Sequence, residues 1–409
     1  MNLPKAVQNI IHILEGNGYE AYAVGGCVRD LFLGREPQDW DVTTSAKPME
    51  VKRIFHRTVD TGIQHGTVTV LMEGKGYEVT TYRIDGAYSD HRHPEEVRFT
   101  SALEEDLKRR DFTVNAMAYN DETGVVDLFH GQEDLKNGVI RAVGNPEERF
   151  TEDALRILRA FRFSAQLDFV IEEKTLEAAA KLSGNLVYIS RERVREELLK
   201  LLVSDHPDRL TALYKAGALA GIFPAYPEED RALIRTLELL KNDPVRRLGG
   251  LLYYFATDAK SRAAEGKKLL MELRFDNDTR DRVVKILSLS DSVPSSEVTD
   301  VRVLLSKSGP ELFAPLVDVL EAVDIAGHAG AGNPVYAGMR QEAAGILARG
   351  ECISIGQLAL NGNDLLSLGV QPGKAVGDTL NALLKEVLKD PGLNEKEALS
   401  ALVKNINGC

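Results

Sequence analysis

Two glycines and two acids decide how this chain folds, in the stretch Gly25-Gly26-Cys27-Val28-Arg29-Asp30 followed by Asp39-Trp40-Asp41. The apolar residues 21–24 predict a strand before the glycines, and residues 28–33 predict the opening of a helix after them. Glycine lets the backbone approach an anion, and a helix N-terminus offers free N–H groups and the positive end of a dipole. This order is typical of a site that cradles phosphate.

The two acids predict a metal-binding site next to the phosphate cradle. We expect a strand over residues 39–43, in which Asp39 and Asp41 are two residues apart and point to the same face. Two such carboxylates can hold Mg²⁺ ions that bridge a triphosphate and an attacking hydroxyl. Glu78, on a later predicted strand, either faces them as a third carboxylate or is a solvated strand acid.

The segments around this stretch predict a mixed sheet with helices. Helices are expected over residues 1–20 and 47–55, and strands over 67–72, 77–83, 125–128 and 139–143. The first two of these strands flank Gly74-Lys75-Gly76 and therefore predict a hairpin. Residues 84–94 are polar, rich in turn formers and without periodicity, which predicts a mobile loop. From about residue 207 the pattern predicts helices to the end of the chain.

A basic triplet lies where the chain enters a buried segment. Lys108, Arg109 and Arg110 are followed by Asp111-Phe112-Thr113 and then by the mostly apolar residues 114–118. Basic triplets usually form a solvated face, but this one leads straight into the core. We therefore expect these side chains at the mouth of a buried segment and not on a free surface.

A later helix combines an apolar stripe with a separate row of charges. The stripe has the spacing i, i+4, i+7, i+11 and consists of Ala154, Leu158, Phe161 and Ala165. The charges recur at every third residue: Asp153, Arg156, Arg159 and Arg162. Taken alone, the row favours a surface ladder of ion pairs, each worth roughly a few tenths of a kcal/mol.

These motifs resemble those of the nucleotidyltransferases of the DNA polymerase β superfamily. More narrowly, the chain resembles the class II tRNA nucleotidyltransferase/poly(A) polymerase family, which includes the CCA-adding enzymes. The glycine pair with Asp-x-Asp, Arg-Arg-Asp-Phe-Thr-Val-Asn-Ala at 109–116 and Glu-Asp-x-x-Arg at 152–156 carry the resemblance. Residues 190–202 are similar to the family's fifth motif, which supports the nucleotide-selecting helix. Specific motifs cover about residues 8–205, and the remainder matches more loosely.

The resemblance implies an α+β fold with a polymerase-β-like nucleotidyltransferase head, a mixed sheet with helices, followed by an all-helical neck, body and tail. It divides the chain into a catalytic head (1–145), a nucleotide-selecting neck (146–205), a body (206–290) and a tRNA-binding tail (291–409). It implies template-independent addition of C, C and A to the 3′ end of tRNA, from CTP and ATP, with release of pyrophosphate.

The resemblance also assigns roles to single residues. Asp39 and Asp41 are expected to be catalytic and to hold Mg²⁺. The residues expected to bind the nucleotide are Gly26, Arg29, Arg110, Asp111, Asp153, Arg156, Arg159 and Arg162. Within this set, Arg110 is expected to contact the incoming nucleotide and Asp111 its sugar. Residues 84–94 are similar to the family's flexible loop, which we expect to matter more for adding A than for adding C.

The chemistry of the bases suggests how Asp153 and Arg156 select nucleotides. Cytosine and adenine both present an amino donor beside a ring-nitrogen acceptor, whereas uracil and guanine present a carbonyl beside an N–H. A carboxylate accepts from the amino group while a guanidinium donates to the ring nitrogen. Such a pair would admit CTP and ATP and discriminate against the others by roughly 10⁴-fold or more.

The composition limits the class of protein and its partners. The 409 residues carry a net charge of −12, which argues against a protein that coats nucleic acid non-specifically, although 50 Lys and Arg leave room for a local basic groove. The three cysteines are far apart, and neither a signal peptide nor a membrane span is evident, so we expect a cytoplasmic protein without a membrane partner. The expected partners are the acceptor and T-arm end of tRNA, ATP and CTP. The oligomeric state is open, with a homodimer among the options.

Three alternatives remain at this stage. A poly(A) polymerase shares the head and the selecting helix, but usually carries a strongly basic extension that this acidic chain lacks. An enzyme that adds only CC or only A is the second alternative, and a CC-only enzyme is expected to lack the loop at 84–94. A non-catalytic RNA-binding relative is the third, and the presence of both Asp39 and Asp41 counts against it.

Overall fold

The structure, a computed structural model, describes residues 2–86, 97–328 and 332–406. The chain forms two compact units, Met1–Tyr226 and Pro227–Cys409. The first contains a mixed sheet with helices, and the described part of the second is helical, so the expected α+β fold class is confirmed. The division into head, neck, body and tail stays a prediction.

A seven-stranded sheet forms the scaffold of the first unit. The strands of this unit, in chain order, are β1 (Ala21–Val24), β2 (Asp41–Thr44), β3 (Thr58–Gly62), β4 (Thr67–Met72), β5 (Lys75–Thr81), β6 (Arg83–Asp85), β7 (Val97–Phe99), β8 (Met117–Asn120), β9 (Gly124–Asp127), β10 (Val139–Ile140) and β11 (Val170–Ile171). The sheet has the order β3-β4-β5-β2-β1-β8-β9. Only β2 and β5 pair in parallel within it. The two strands nearest the glycine pair, β1 and β2, are therefore inner neighbours.

Helices complete the first unit. They are α1 (Lys5–Gly16), α2 (Gly26–Phe32), α3 (Pro48–Ile54), α4 (Leu103–Lys108), α5 (Gly131–Asn137), α6 (Pro146–Glu152), α7 (Leu155–Leu167), α8 (Glu173–Leu182), α9 (Arg191–Leu202) and α10 (Arg209–Lys215). The helix predicted within residues 1–20 is confirmed as α1, and its apolar face is buried through Ile10, Ile11 and Leu14. The apolar stripe of α7 is likewise buried, including Leu158 and Phe161.

The strand and helix around the glycines begin at other residues than the sequence predicts. Helix α2 starts at Gly26 and not at residue 28, so the glycine pair itself forms the helix N-terminus. Strand β2 starts at Asp41, and Asp39 lies in a bend before it. The prediction that both acids belong to one strand was therefore wrong, because the bend delays strand pairing until Asp41.

The predicted hairpin forms between β4 and β5, with a tighter turn than expected. Glu73 and Gly74 both have positive φ, 52° and 79°, which is typical of the two-residue turns that match strand twist. Lys75 is already paired with Met72. Within the predicted loop, Ile84 and Asp85 belong to β6, which pairs with β7. Residues 87–94 of that prediction lie outside the described residues.

Two further predictions need correction around the middle of the chain. The strand predicted at 139–143 is only two residues long, and it pairs in parallel with β11, outside the seven-stranded sheet. The segment 152–162 is not one continuous helix. Asp153, with φ −142° and ψ 101°, ends α6, and α7 starts anew at Leu155. Asp153 therefore precedes the helix that carries the arginines.

The second unit is built from helices. They are α11 (Arg231–Leu239), α12 (Pro244–Tyr253), α13 (Ala259–Glu272), α14 (Asn277–Ser288), α15 (Val298–Ser308), α16 (Pro310–His328), α17 (Val335–Ala348), α18 (Gly362–Ser367), α19 (Lys374–Lys389) and α20 (Lys396–Ile406). The Asn361 side chain accepts from backbone amides at the start of α18, and the Asp364 side chain accepts from the Asn361 amide in return. Leu365, Leu383 and Leu399 pack in the core formed by α18, α19 and α20. No helix among the residues described here has the length and apolar character needed to cross a membrane.

Candidate active site

The turn between β1 and α2 requires glycine at Gly25. Gly25 has φ 81°, a conformation that residues with a Cβ rarely adopt. A Cβ built there would lie 2.9 Å from Nη1 of Arg110. At Gly26 the nearest atom, Nη2 of Arg29, would be 3.7 Å away, an ordinary contact. Gly25, which the sequence analysis did not assign to the site, is therefore the glycine that lets Arg110 approach the turn.

The carboxylates meet at the start of β2. Asp41 pairs in register with Glu78 of β5, so the two side chains project from neighbouring strands. Asp41 is open to solvent, yet desolvation by the surrounding protein raises the pKa of its carboxyl; Arg110 opposes the shift, while Glu78 and Asp39 add to it. Negative charge is thus concentrated around Asp41, and Arg110 is the cation that offsets it.

The donor set at this point fits magnesium bound together with a substrate. Among the described residues, no three His, Cys, Asp or Glu side chains converge on one metal position. Mg²⁺ is commonly held by one or two carboxylates plus substrate phosphates and does not need a cage made only of protein groups. Asp39 and Asp41 supply oxygen ligands of that kind, and a cation there would offset the repulsion from Glu78 and Asp39 that adds to the desolvation of Asp41.

A fully buried acid that the sequence analysis missed holds the basic triplet in place. Asp106 of α4 accepts hydrogen bonds from Nη2 of Arg109 at 2.7 Å and from Nη2 of Arg110 at 3.3 Å. Burial alone would raise the pKa of Asp106, but the two arginines outweigh it and hold the pKa below its ordinary value. Asp106 also accepts from Oγ1 of Thr43, at 3.1 Å. The i, i+4 spacing of Asp106 and Arg110 on a helix could have revealed the pair.

Asp111 is a buried, ionised acceptor next to this cluster. Its Oδ2 accepts from Nε of Arg159 at 2.7 Å, and its Oδ1 accepts from the Phe112 amide at 2.8 Å. Burial would raise the pKa of Asp111, but Arg159 more than compensates and lowers it to about 2. The contact between Asp111 and Arg159 joins the motif at 109–116 to α7. Asp111 is the residue that the sequence analysis expects to bind the sugar.

Asn115 links that acid to the glycine turn. Its Nδ2 donates to Oδ1 of Asp111 at 3.2 Å, and its Oδ1 accepts from Nη1 of Arg29 at 2.7 Å. Arg29 is held from its other side by Asp30, 2.8 Å from Nη2. The sequence analysis quoted Asn115 only as part of a motif, and nothing in its spacing signalled that it bridges two predicted nucleotide ligands.

Asp153 and Arg156 lie at the start of α7, and each side chain has its own partners. Oδ2 of Asp153 accepts from Nη2 of Arg193 on α9 at 2.7 Å, and its Oδ1 caps Leu155 at 3.0 Å. Arg156 donates from Nη1 to Glu152 at 2.6 Å and from Nη2 to the Arg109 carbonyl at 2.9 Å. Asp153 is thus held in place as an acceptor and Arg156 as a donor. Arg193 is a further residue that sequence reasoning missed.

The two remaining arginines of the row differ in exposure. Arg159 is part-buried against Asp111, and although burial lowers its pKa, the charges of Asp111 and Glu197 raise it above the ordinary value. Arg162 is buried and donates to Glu197 and, at 2.8 Å, to Gln166. Burial, aided by the charge of Arg159, lowers the pKa of Arg162. The row is thus bound to other elements and does not form an ion-pair ladder within one helix.

Comparison with known families gives three matches along the chain. Three family profiles match the chain: the Poly A polymerase head domain over residues 21–141, the probable RNA and SrmB-binding site of polymerase A over 168–229, and the putative tRNA nucleotidyltransferase domain 2 over 251–403. The first contains the glycine turn, the acids and Arg110. The order of the three profiles agrees with the order of motifs along the chain.

Curated proteins and a solved structure match over nearly the full length. The CCA-adding enzyme of Ligilactobacillus salivarius is 38% identical over 410 residues, covering 99% of this chain and 98% of the relative. That of Lactobacillus helveticus is 36% identical over 401 residues, covering 97% and 96%. The crystal structure of the Bacillus stearothermophilus CCA-adding enzyme in complex with CTP has a TM-score of 0.82 at 32% identity, covering 100% of this chain and 98% of that one. With its sheet, its glycine turn and its row of arginines, this chain belongs to the family of the CCA-adding enzymes.

Proposed function

We propose that this protein adds C, C and A to the 3′ end of tRNA from CTP and ATP, without a template. The observation that carries the proposal is the meeting of Gly25, Arg110 and Asp41, which places a cation and a glycine turn beside the acidic end of β2. Full-length relatives named CCA-adding enzymes support it. The RNA 3′-hydroxyl attacks the α-phosphate, a new O–P bond forms, and the bond to the β-phosphate breaks with release of pyrophosphate.

Magnesium is the proposed cofactor, with Asp39 and Asp41 as its protein ligands. When bound, the metal neutralises phosphate charge and lowers the pKa of the attacking hydroxyl. Thr43, two residues after Asp41, is tied to the buried Asp106, which fixes strand β2 from within. Glu78 stays a neighbour that adds negative charge, and its role as a ligand is open.

The phosphates and the sugar are proposed to bind between α2 and α7. Arg29, Arg110 and Arg159 supply guanidinium groups, which suit phosphate oxygens because of their planar fork of donors. Gly26 supplies a backbone N–H at the first residue of α2. An ionised carboxylate offers about four acceptor positions, so Asp111 can accept from a sugar hydroxyl besides its partners on Phe112, Asn115 and Arg159. Buried Arg162 supports this set through Glu197.

The base is proposed to meet Asp153 and Arg156. Contacts with the protein use three of the five N–H groups of Arg156, which leaves donors for a ring nitrogen. Asp153 remains an ionic acceptor paired with Arg193, so it can accept from an exocyclic amino group. The pair therefore favours cytosine and adenine.

The second unit is proposed to hold the acceptor and T-arm end of tRNA. The support is the match of residues 251–403 to a putative tRNA nucleotidyltransferase domain. Cys27 and Cys352 are free thiols, in keeping with the expected cytoplasmic location, which stays a prediction together with the oligomeric state.

One incubation tests the proposed function against its alternatives. Purified protein is mixed with tRNA that ends before CCA and with labelled CTP and ATP, and the products are sequenced. We expect products that end in CCA. Long A tails would instead identify a poly(A) polymerase, and products that stop at CC, or that need CC already present, would identify an enzyme of narrower activity. No extension at all would contradict the proposal and favour a non-catalytic RNA-binding protein.

A further inference from the structure

Three guanidinium groups surround a single buried ring, that of Phe163 on α7. The Cζ atoms of Arg162, Arg29 and Arg159 lie 3.7, 5.1 and 5.2 Å from the ring centroid. Phe163 is 5% exposed, so the ring is largely screened from water. Arg29 comes from α2 and the other two from α7, which makes this ring the meeting point of the glycine turn and the arginine row.

Three like charges around one ring repel each other, and something must offset that repulsion. Carboxylates do so from outside: Asp30 pairs with Arg29, Asp111 with Arg159 and Glu197 with Arg162. The negative face of an aromatic ring attracts cations from inside, and more strongly where water is excluded. The ring of Phe163 is therefore the one group that attracts all three guanidinium groups at once.

The orientation of the ring is fixed by the head of the molecule. Phe112 packs edge-on against Phe163, with centroids 5.8 Å apart and an angle of 80° between the planes. Phe112 directly follows Asp111, the carboxylate that binds Arg159. The plane of the Phe163 ring is therefore set by the same segment that sets the ionic partner of Arg159.

We propose that Phe163 is a positioning residue for the nucleotide, whose π system holds Arg29 and Arg159 at the spacing at which they receive the triphosphate. This inference rests on the nucleotide site of the proposed function. Phe163 itself touches no reacting atom, and its effect passes through the two arginines. It should act on phosphate binding and leave base selection unchanged.

A series of fluorinated phenylalanines at position 163 tests the proposal. Each added fluorine withdraws electron density from the ring face while the shape of the side chain changes little. We expect the Kd for CTP and for inorganic tripolyphosphate to rise stepwise from mono- to trifluorophenylalanine, by roughly 5- to 30-fold in total. The variants should remain folded at the assay temperature, and the ratio of CTP to UTP incorporation should stay near that of the parent.

The matched control is the same series at Phe161, a buried ring on the same helix. Among the described contacts, no guanidinium lies over the Phe161 ring. We expect no graded change in either Kd there. An equal effect at both positions, or unchanged binding at position 163, would overturn the inference. Because binding is measured directly, a protein that binds CTP but does not extend tRNA contradicts the proposed function and leaves this inference standing.

Discussion

At the scale of single residues, the site is a set of charges that are buried and yet paired. Asp106, Asp111 and Glu197 are nearly inaccessible to water, and each is bound to at least one arginine that we place in or near the nucleotide site. Removing one partner of a buried ion pair costs much more than removing a surface charge, because it leaves the other charge unpaired. These acids are therefore the residues at which small changes should have large effects.

Asp106→Asn should weaken both stability and nucleotide use. The variant keeps the size of the side chain but removes the charge that holds Arg109 and Arg110. We expect a loss of about 3 kcal/mol in the free energy of unfolding and a fall of at least roughly 10-fold in kcat/KM for CTP. Urea unfolding and steady-state kinetics measure the two effects. Glu104→Gln, at an exposed acid of the same helix, is the control and should change neither; a silent Asp106→Asn would show that the arginines hold their positions without it.

Comparing Gly25→Ala with Gly34→Ala should separate the effect of backbone strain from the effect of displacing Arg110. Both Gly25 and Gly34 have positive φ, 81° and 67°, but only at Gly25 would the new Cβ meet another atom, Nη1 of Arg110. We expect either substitution to Ala to cost roughly 1–3 kcal/mol of stability because a residue with a Cβ is strained at positive φ. Only Gly25→Ala should abolish CMP incorporation at saturating CTP, because Arg110 must move away. Equal activity of the two variants would mean that the approach of Arg110 to the turn is unimportant.

At the scale of elements, regular patterns were predicted well and interruptions were not. The buried stripe of α7 follows from its spacing, and the strand–glycine–helix order follows from composition. The break at Asp153 has no such signal, because residues 152–162 fit helical periodicity throughout. Two contacts hold the Asp153 carboxylate at the break: a local one with the Leu155 amide and a tertiary one with Arg193. A partner that comes from a distant segment, such as Arg193, could not be paired with the site from sequence spacing alone, whereas Asp106 could have been paired with Arg110.

Arg193→Ala should relax base selection more than it lowers activity. Arg193 reaches from α9 to the carboxylate of Asp153 with two N–H groups, at 2.7 and 3.3 Å. Without them the acceptor for the exocyclic amino group loses its fixed orientation. We expect the ratio of kcat/KM for CTP to that for UTP to fall about 10-fold, the equivalent of a single charged hydrogen bond. Arg195→Ala, two residues further along α9, should leave this ratio unchanged; an unchanged ratio for Arg193→Ala as well would assign Arg193 to stability only.

At the scale of the whole molecule, the nucleotide residues and the proposed tRNA-binding region fall into different compact units. All residues that we place at the nucleotide, from Gly26 to Arg162, belong to the unit formed by Met1–Tyr226. The net charge of −12 also makes a localised basic surface for tRNA more plausible than general attraction to nucleic acid. The sequence analysis placed its boundaries at 145, 205 and 290 and none after Tyr226, although Pro224, Pro227 and the acidic run at 228–230 lie beside that point.

Ligands should therefore protect the two units separately in hydrogen exchange. A ligand stabilises the unit that binds it by RT ln(1 + [L]/Kd), about 2.7 kcal/mol at a hundredfold excess over Kd. We expect CTP with Mg²⁺ to slow amide exchange in α2, β2 and α7, and to leave α13, α14 and α19 unchanged. A tRNA that ends before CCA should slow exchange in helices of the second unit even without CTP. The control is Asp41→Ala with Arg110→Ala, in which CTP should protect neither unit while tRNA still protects the second. Equal protection of both units by CTP alone would show that nucleotide binding is not confined to the first.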